Sequence, residues 1–236
     1  VLRRFIKLKS WAGTEAIVVG GGLRASRVGE LAIARAGILL NQDLEQPIEM
    51  RLIENHPDEA GLIGATQLLP HWMIGDHDRI LAVDVGGTNI RAGLVELKRG
   101  KSADRVTGRV ADMRLWRHGD EDGVKREDAV GRLVEMLSEL IRDGGKRKLA
   151  PFIGVGCPGI IRDDGSIERG AQNLPGNWES SRFNLPAALH AAIPRIGTHE
   201  TVIVMHNDAV VQGLSEVPRM RPFAYWAVVT IGTGFG

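Results

Sequence analysis

Two apolar runs, Ile80–Asp84 and Ile90–Leu97, flank the stretch Val85-Gly86-Gly87-Thr88-Asn89. This arrangement constrains the fold more than any other feature of the chain. Short runs rich in Val, Ile and Leu around a Gly-Gly turn predict the two strands of a β-hairpin. A strand that runs into two glycines leaves backbone N–H groups open to a closely approaching anion, because no Cβ stands in the way. Thr88 adds a hydroxyl and Asn89 an amide. Asp84, at the strand end, suits a Mg²⁺ ion held through water, as magnesium prefers. The same residues also suit an ordinary hairpin turn, and the motif by itself leaves both readings open.

Around the hairpin, strand and helix patterns alternate. Ala16–Gly20 is a short apolar run that breaks into Gly21-Gly22, and a helical pattern follows over Ser26–Leu40. Val28, Leu31, Ala32 and Ala36 have the spacing of one face, which is expected to be the buried one. Met50–Ile53 predicts a strand, and Pro57-Asp58-Glu59 starts a helix that runs to about Leu69 before Pro70. His71–Asp78 is a connector and Val110–Arg117 a candidate strand. Glu127–Arg142 is an amphipathic helix with Val130, Leu133, Val134, Leu137 and Ile141 aligned. Further on, Phe152–Gly156 is a buried strand and Asn184 caps a helix over Leu185–Ile193. Val202–Met205 is a strand, Asp208–Glu216 a helix and Trp226–Ile231 a strand. The alternation predicts an α/β fold.

Two further elements carry chemistry. Thr230-Ile231-Gly232-Thr233-Gly234-Phe235-Gly236 is a second strand that meets a Gly/Thr turn, and two such turns could clamp a triphosphate from both sides. His206-Asn207-Asp208-Ala209 lies where a strand meets a helix. A carboxylate at a helix N-terminus is kept ionised by the dipole, and phosphoryl transfer asks of its base mainly positioning. Read alone, Asn207 or Asp208 is equally an N-cap.

Four ordered motifs then resemble the ROK family, which groups bacterial glucokinases, related sugar kinases and sugar-responsive repressors. They are Asp84-x-Gly86-Gly87-Thr88-x-x-Arg91, Gly154-x-Gly156-x-Pro158-Gly159, Asn207-Asp208-Ala209 and Gly232-Thr233-Gly234-x-Gly236. The resemblance runs from residue 80 to the C-terminus. It implies an actin-like ATPase (ribonuclease H-like) fold, with one near-complete N-terminal lobe and part of a second. The implied activity is an ATP-dependent sugar kinase that phosphorylates a hexose or N-acetylhexosamine hydroxyl with ATP and Mg²⁺. Asp84, Gly86, Gly87, Thr88 and Asn89 would face the phosphates and magnesium, and Gly232, Thr233 and Gly234 would form the second phosphate turn. Asp208 would take the proton from the sugar hydroxyl, and Asn207 would bind a neighbouring hydroxyl. Gly159 would lie beside the sugar. Asn173, in Asn173-Leu174-Pro175-Gly176-Asn177-Trp178, would contact it, with Trp178 a packing anchor.

The first seventy residues fit two patterns. Gly20-x-Gly22-x-x-Ala25 between a strand and a helix suggests a dinucleotide fold with Glu54 as ribose ligand, although the acid lies far along for that fingerprint. Val18-x-Gly20-Gly21-Gly22, together with Asp58-Glu59-Ala60-Gly61-Leu62-Ile63-Gly64-Ala65, instead resembles the C-terminal end of a ROK protein, where Gly21 would lie against adenosine. On that basis 1–72 is a C-terminal-lobe-like segment from a tandem or a permutation. Residues 73–79 connect it to an N-terminal lobe over 80–223, and 224–236 begin a second lobe. The chain reads as a fragment, because it starts at Val1 and stops inside a Gly-rich turn. The family's Glu-x-Gly-His contacts and its Cys-rich zinc motif are absent from these residues, so weak or no activity is expected of this piece.

Composition narrows the alternatives. A net charge of +1 gives no basic field for nucleic acid. Cys157 is the only cysteine, which excludes an intrachain disulfide and a cysteine-based zinc cluster. No apolar run approaches the ~20 residues of a membrane span, and the cytoplasm is the expected location. A homodimer of the full-length protein is what the resemblance implies. The rival reading is a sugar-sensing transcriptional regulator of the same family. Such regulators usually carry a helix-turn-helix, and many lose the phosphate motif or the aspartate.

Overall fold

The computed structural model describes residues 1–99, 106–144 and 148–231. Its twelve strands in chain order are β1 (Ala16–Gly20), β2 (Glu49–Leu52), β3 (Arg79–Val85), β4 (Ile90–Arg99), β5 (Val106–Trp116), β6 (Leu149–Cys157), β7 (Ile160–Ile161), β8 (Ile167–Arg169), β9 (Arg195–Ile196), β10 (His199–Glu200), β11 (Val202–Asn207) and β12 (Trp226–Thr230). The α-helices are α1 (Leu2–Phe5), α2 (Arg27–Asn41), α3 (Pro57–Gly64), α4 (Arg126–Asp143), α5 (Leu185–Ala192), α6 (Asp208–Leu214) and α7 (Val217–Met220).

Five strands form one mixed sheet in the order β11-β6-β3-β4-β5. β3, β6 and β11 are parallel, and β4 runs antiparallel to both of its neighbours. Alternation along β3 divides its side chains between two cores. Leu81, Val83 and Val85 enter a cluster with α4 and α5, while Ile80 and Ala82 enter one with Leu62, Ala65 and Val211. Asp84 follows the second series, so its side chain leaves the sheet on the α3 side.

β6 begins three residues before the predicted Phe152. Pro151 lacks an N–H for the ladder, and it falls where the pairing with β3 shifts register between Arg79 and Leu81.

A second sheet of three parallel strands has the order β12-β1-β2. Ile17 and Val19 pack under α2, and Ala16 and Val18 pack with Ala60 and Met220. The layers therefore run α4 and α5, five-stranded sheet, α3 and α6, three-stranded sheet, α2. Residues 1–52 share a sheet with Trp226–Thr230, whereas Leu62, Ala65 and Met73 pack on the five-stranded sheet.

Two expectations need correction. The buried face of α2 is Gly29, Ile33, Gly37 and Leu40, while Val28 and Leu31 are 76% and 56% exposed. Counting large apolar residues picked the wrong stripe. A Cβ at Gly29 would lie 1.8 Å from the Leu23 carbonyl oxygen, and one at Gly37 would lie 3.0 Å from Met50. Gly29 thus lets the helix close on the turn before it, and Gly37 lets it approach β2. The helix expected to reach Leu69 ends at Gly64 and continues as a 3₁₀ turn over Ala65–Leu68.

Candidate active site

β3 and β4 close around Gly86–Asn89, with the Gly86 N–H donating to the Asn89 carbonyl at 2.8 Å. Neither Gly86 nor Gly87 has positive φ, so the glycines keep the backbone open rather than permit a forbidden turn. The Asn89 side-chain amide donates to the Thr88 hydroxyl at 3.2 Å. Both side chains line a cleft of about 1130 Å³ that runs between the two sheets.

Asp84 lies at the cleft floor and is 4% exposed. A Cβ at Gly61 of α3 would stand 2.8 Å from its carboxyl carbon, so the close approach of α3 depends on that glycine. Burial pushes the Asp84 carboxyl up to about 6, Arg91 opposes the shift, and the charges of Asp208 and Asp58 add to it. Arg91 Nη1 stands 3.6 Å from Asp84 Oδ2, and its Nη2 pairs with Asp58 at the start of α3. Arg91 was legible only as the last letter of a motif. Asp58 was legible as a helix-starting acid and as the first residue of the ROK-like segment Asp58–Ala65, not as a partner of Arg91.

Asp208 lies across Gly156 from Asp84. A Cβ on Gly156 would fall 3.5 Å from the Asp208 Cα and 3.6 Å from Asp84 Oδ1, so its absence leaves room between the carboxylates. The dipole was expected to dominate at Asp208. Burial instead pushes its carboxyl up, against the pull of the Ala209 and Asp208 backbone amides. α6 has only 7 residues and its start is partly buried, so loss of water outweighs the helix end.

Asn207 is the N-cap: its Oδ1 accepts from the Val210 N–H, and its Nδ2 donates to the Gly159 carbonyl at 2.9 Å. Gly159 has φ +107° and its Cβ position lies 2.6 Å from the Arg169 carbonyl oxygen, so no other residue fits there. Asn173 is exposed on the cleft wall together with Arg169, Gln172 and Glu179, none of which the motifs singled out. Trp178 is buried, and its indole N–H donates to the Pro175 carbonyl at 2.7 Å.

The opposite wall carries Gly21, Gly22, Thr230 and Ile231. Gly21 has φ +89° and packs against the Ile231 backbone, while the Ile231 N–H donates to the Gly20 carbonyl at 3.0 Å. Gly21 and the end of β12 thus meet at one edge of the cleft. Gly232, Thr233 and Gly234 lie outside the described residues. Glu54, offered as a ribose ligand, pairs with Arg219. No group of three or more His, Cys, Asp or Glu that could hold a metal occurs among the described residues. A single hard carboxylate such as Asp84, beside the open Gly86–Asn89 turn, is nonetheless a donor set that fits a largely hydrated Mg²⁺. Among the described residues no helix is long and apolar enough to cross a membrane.

No family model matches the chain. It is 31% identical over 160 residues to a glucokinase of Thermotoga maritima, which covers 67% of this chain and 43% of that enzyme. The chain thus spans less than half the length of the relative it matches. Among solved structures, an inorganic polyphosphate/ATP-glucomannokinase from Arthrobacter sp. strain KM superposes with a TM-score of 0.47. The two are 24% identical, over 68% of this chain and 57% of that one. An exopolyphosphatase from Cytophaga hutchinsonii superposes with a TM-score of 0.31 and 17% identity, over 66% of this chain and 47% of the other.

Proposed function

We propose that this chain, a relative of the ROK-type sugar kinases, carries the nucleotide and sugar site of an ATP-dependent kinase acting on a hexose or N-acetylhexosamine hydroxyl. The observation that carries the reading is the pair Asp84 and Asp208, set on either side of Gly156 at the floor of a cleft roofed by Gly86–Asn89. The glucokinase likeness supports the same reaction class.

In this reading the terminal phosphates of ATP lie against the backbone amides of Gly86 and Gly87 and the polar groups of Thr88 and Asn89. Gly21 borders the adenosine, and Gly232, Thr233 and Gly234 complete the phosphate site. Asp84 would hold Mg²⁺ through water, and the bound ion would neutralise charge on the phosphates. Asn207, Gly159 and Asn173 orient the sugar. The Asn207 amide has a second N–H beyond the one given to Gly159, and that N–H is available to a sugar hydroxyl.

Asp208 accepts the proton of the attacking hydroxyl as the phosphoryl group leaves ADP. Its raised carboxyl makes it a better base than an exposed aspartate. The loose transition state demands little more than alignment and charge compensation from the protein.

The parallel pairing of β1 with β12 favours a permuted unit over a tandem remnant, because Gly21 and Ile231 then border one cleft. Loss of residues 1–52 without loss of ATP binding would remove that part of the reading.

The test is turnover of ATP, Mg²⁺ and a panel of hexoses and N-acetylhexosamines by the full-length protein and by its Asp208→Asn variant. The variant is expected to lose at least about 10³-fold in kcat while sugar binding changes little. Near-normal turnover by Asp208→Asn would exclude its role as base. Sugar binding without turnover in the parent protein would favour the regulator.

A further inference from the structure

The Gly86–Asn89 turn has one face on the cleft and a back turned away from it. There the 3₁₀ segment His118–Asp120, which follows β5, packs against it. His118 is 5% exposed, and its Nε2 lies 2.9 Å from the Gly86 carbonyl oxygen. A carbonyl can only accept, so Nε2 carries the hydrogen. One residue on, the Gly119 N–H donates to the Thr88 carbonyl at 3.0 Å. Gly86, Gly87, Thr88 and Asn89 line the cleft, whereas neither His118 nor Gly119 does.

These contacts fix which way the turn presents its donors. A peptide group is planar and trans, so its C=O and the following N–H point in opposite senses. When His118 holds the Gly86 carbonyl at the back, the Gly87 N–H is turned toward the front. When Gly119 holds the Thr88 carbonyl, the Asn89 N–H is turned the same way. Without the brace each peptide could flip, and the turn would offer an anion a carbonyl oxygen in place of a donor.

The brace is itself held firmly. The His118 ring sits 5.5 Å from the Trp116 ring, and the Trp116 indole N–H donates to Glu121 at 2.7 Å. Gly119 approaches so closely that a Cβ there would lie 3.0 Å from Thr88 Cβ and 3.1 Å from its Cα.

We propose that His118, assisted by Gly119, is a positioning residue for the terminal phosphates of a nucleoside triphosphate, acting through the peptide planes of the turn without touching the ligand. The inference rests on the kinase reading above.

The experiment is calorimetric titration of the 236-residue chain with ATP and, separately, with AMP, both with Mg²⁺. His118→Phe keeps a ring and removes the donor, and His118→Gln restores an amide N–H. The Phe variant should bind ATP about tenfold more weakly, the size expected for one lost hydrogen bond at a site. AMP lacks the terminal phosphates and should bind within twofold of the parent. The Gln variant should recover most of the ATP affinity.

ATP affinity within twofold of the parent in a folded His118→Phe overturns the proposal. So does an equal loss for ATP and AMP, which marks general disruption. Should His118→Phe fail to fold, Gly119→Ala decides: its Cβ displaces Thr88, and a selective ATP loss is expected. Unchanged ATP binding by Gly119→Ala would overturn the brace. A parent that binds neither nucleotide removes the kinase reading and the brace with it. A parent that binds ATP as well as its variants do removes the brace alone.

Discussion

The five-stranded and three-stranded sheets face the same cleft from opposite sides, yet they are stabilised to different degrees. The larger sheet is covered on both faces, by α4 and α5 on one and by α3 and α6 on the other. The smaller has one strand, β1, buried along its full length, while β2 and β12 are mostly half-buried. Beside it an apolar groove of about 390 Å³ opens between α2, the strands and the first residues of the chain. The chemistry divides in the same way. Asp84, Asp208 and the Gly86–Asn89 turn rest on the larger sheet, and the smaller contributes Gly21, Thr230 and Ile231. A wall that carries no carboxylate tolerates movement better than one that must hold two in register.

The sharpest way to break this comparison is to cut into each core in turn. Phe152→Ala, in the fully buried cluster under α3, should cost about 3–5 kcal/mol. Ile33→Ala, on the buried face of α2 and beside the open groove, should cost nearer 2 kcal/mol, because fewer of its contacts are lost. Denaturant titration followed by circular dichroism measures both costs. Equal losses would mean that the smaller sheet is as tightly cored as the larger.

A smaller effect, of opposite sign, comes from the site itself. The Asp84 carboxyl titrates near 6 in the folded chain against an ordinary value of 3.8. The folded state therefore binds that proton more tightly than the unfolded state. Its contribution is fully present below about pH 4 and is lost as pH rises to about 6. Asp84→Asn removes this penalty and should raise stability at pH 8 by roughly 1–3 kcal/mol, with little change at pH 4. Melting temperatures of both proteins across that range, in metal-free buffer, test the sign. A loss in the variant at every pH would mean that Arg91 needs the carboxylate more than burial penalises it.

How far the sequence revealed this architecture depends on the range of the interaction. The hairpin, α4 and the β11–α6 junction were legible because each is encoded within a few residues, by Gly-Gly, by a 3.6-residue stripe or by Asn207 at a cap. The brace was not legible. His118 meets Gly86 across 32 positions, and neither residue's neighbours announce the other. Arg91 with Asp58 and Ala16 with Trp226 are pairings of the same long-range kind. The burial of Asp208 was hidden for a related reason: the helix end is visible in sequence, but the loss of water that raises its carboxyl comes from the fold.

The smallest expected effect bears on the one face that periodicity assigned wrongly. Val28 and Leu31 project from α2 into solvent, and Gly29, Ile33, Gly37 and Leu40 meet the sheet. Val28→Gln and Leu31→Gln should each change stability by no more than about 0.5 kcal/mol, the range of surface substitutions. For Val28 the sign should be slightly favourable, since Gln has the better helix propensity. Ile33→Gln buries an amide without a partner and should cost more than Ile33→Ala does. A loss above 1 kcal/mol in the double variant Val28→Gln/Leu31→Gln would show that this outer face is covered. The smaller sheet would then have a second packed layer beyond α2, and its difference from the larger sheet would shrink accordingly.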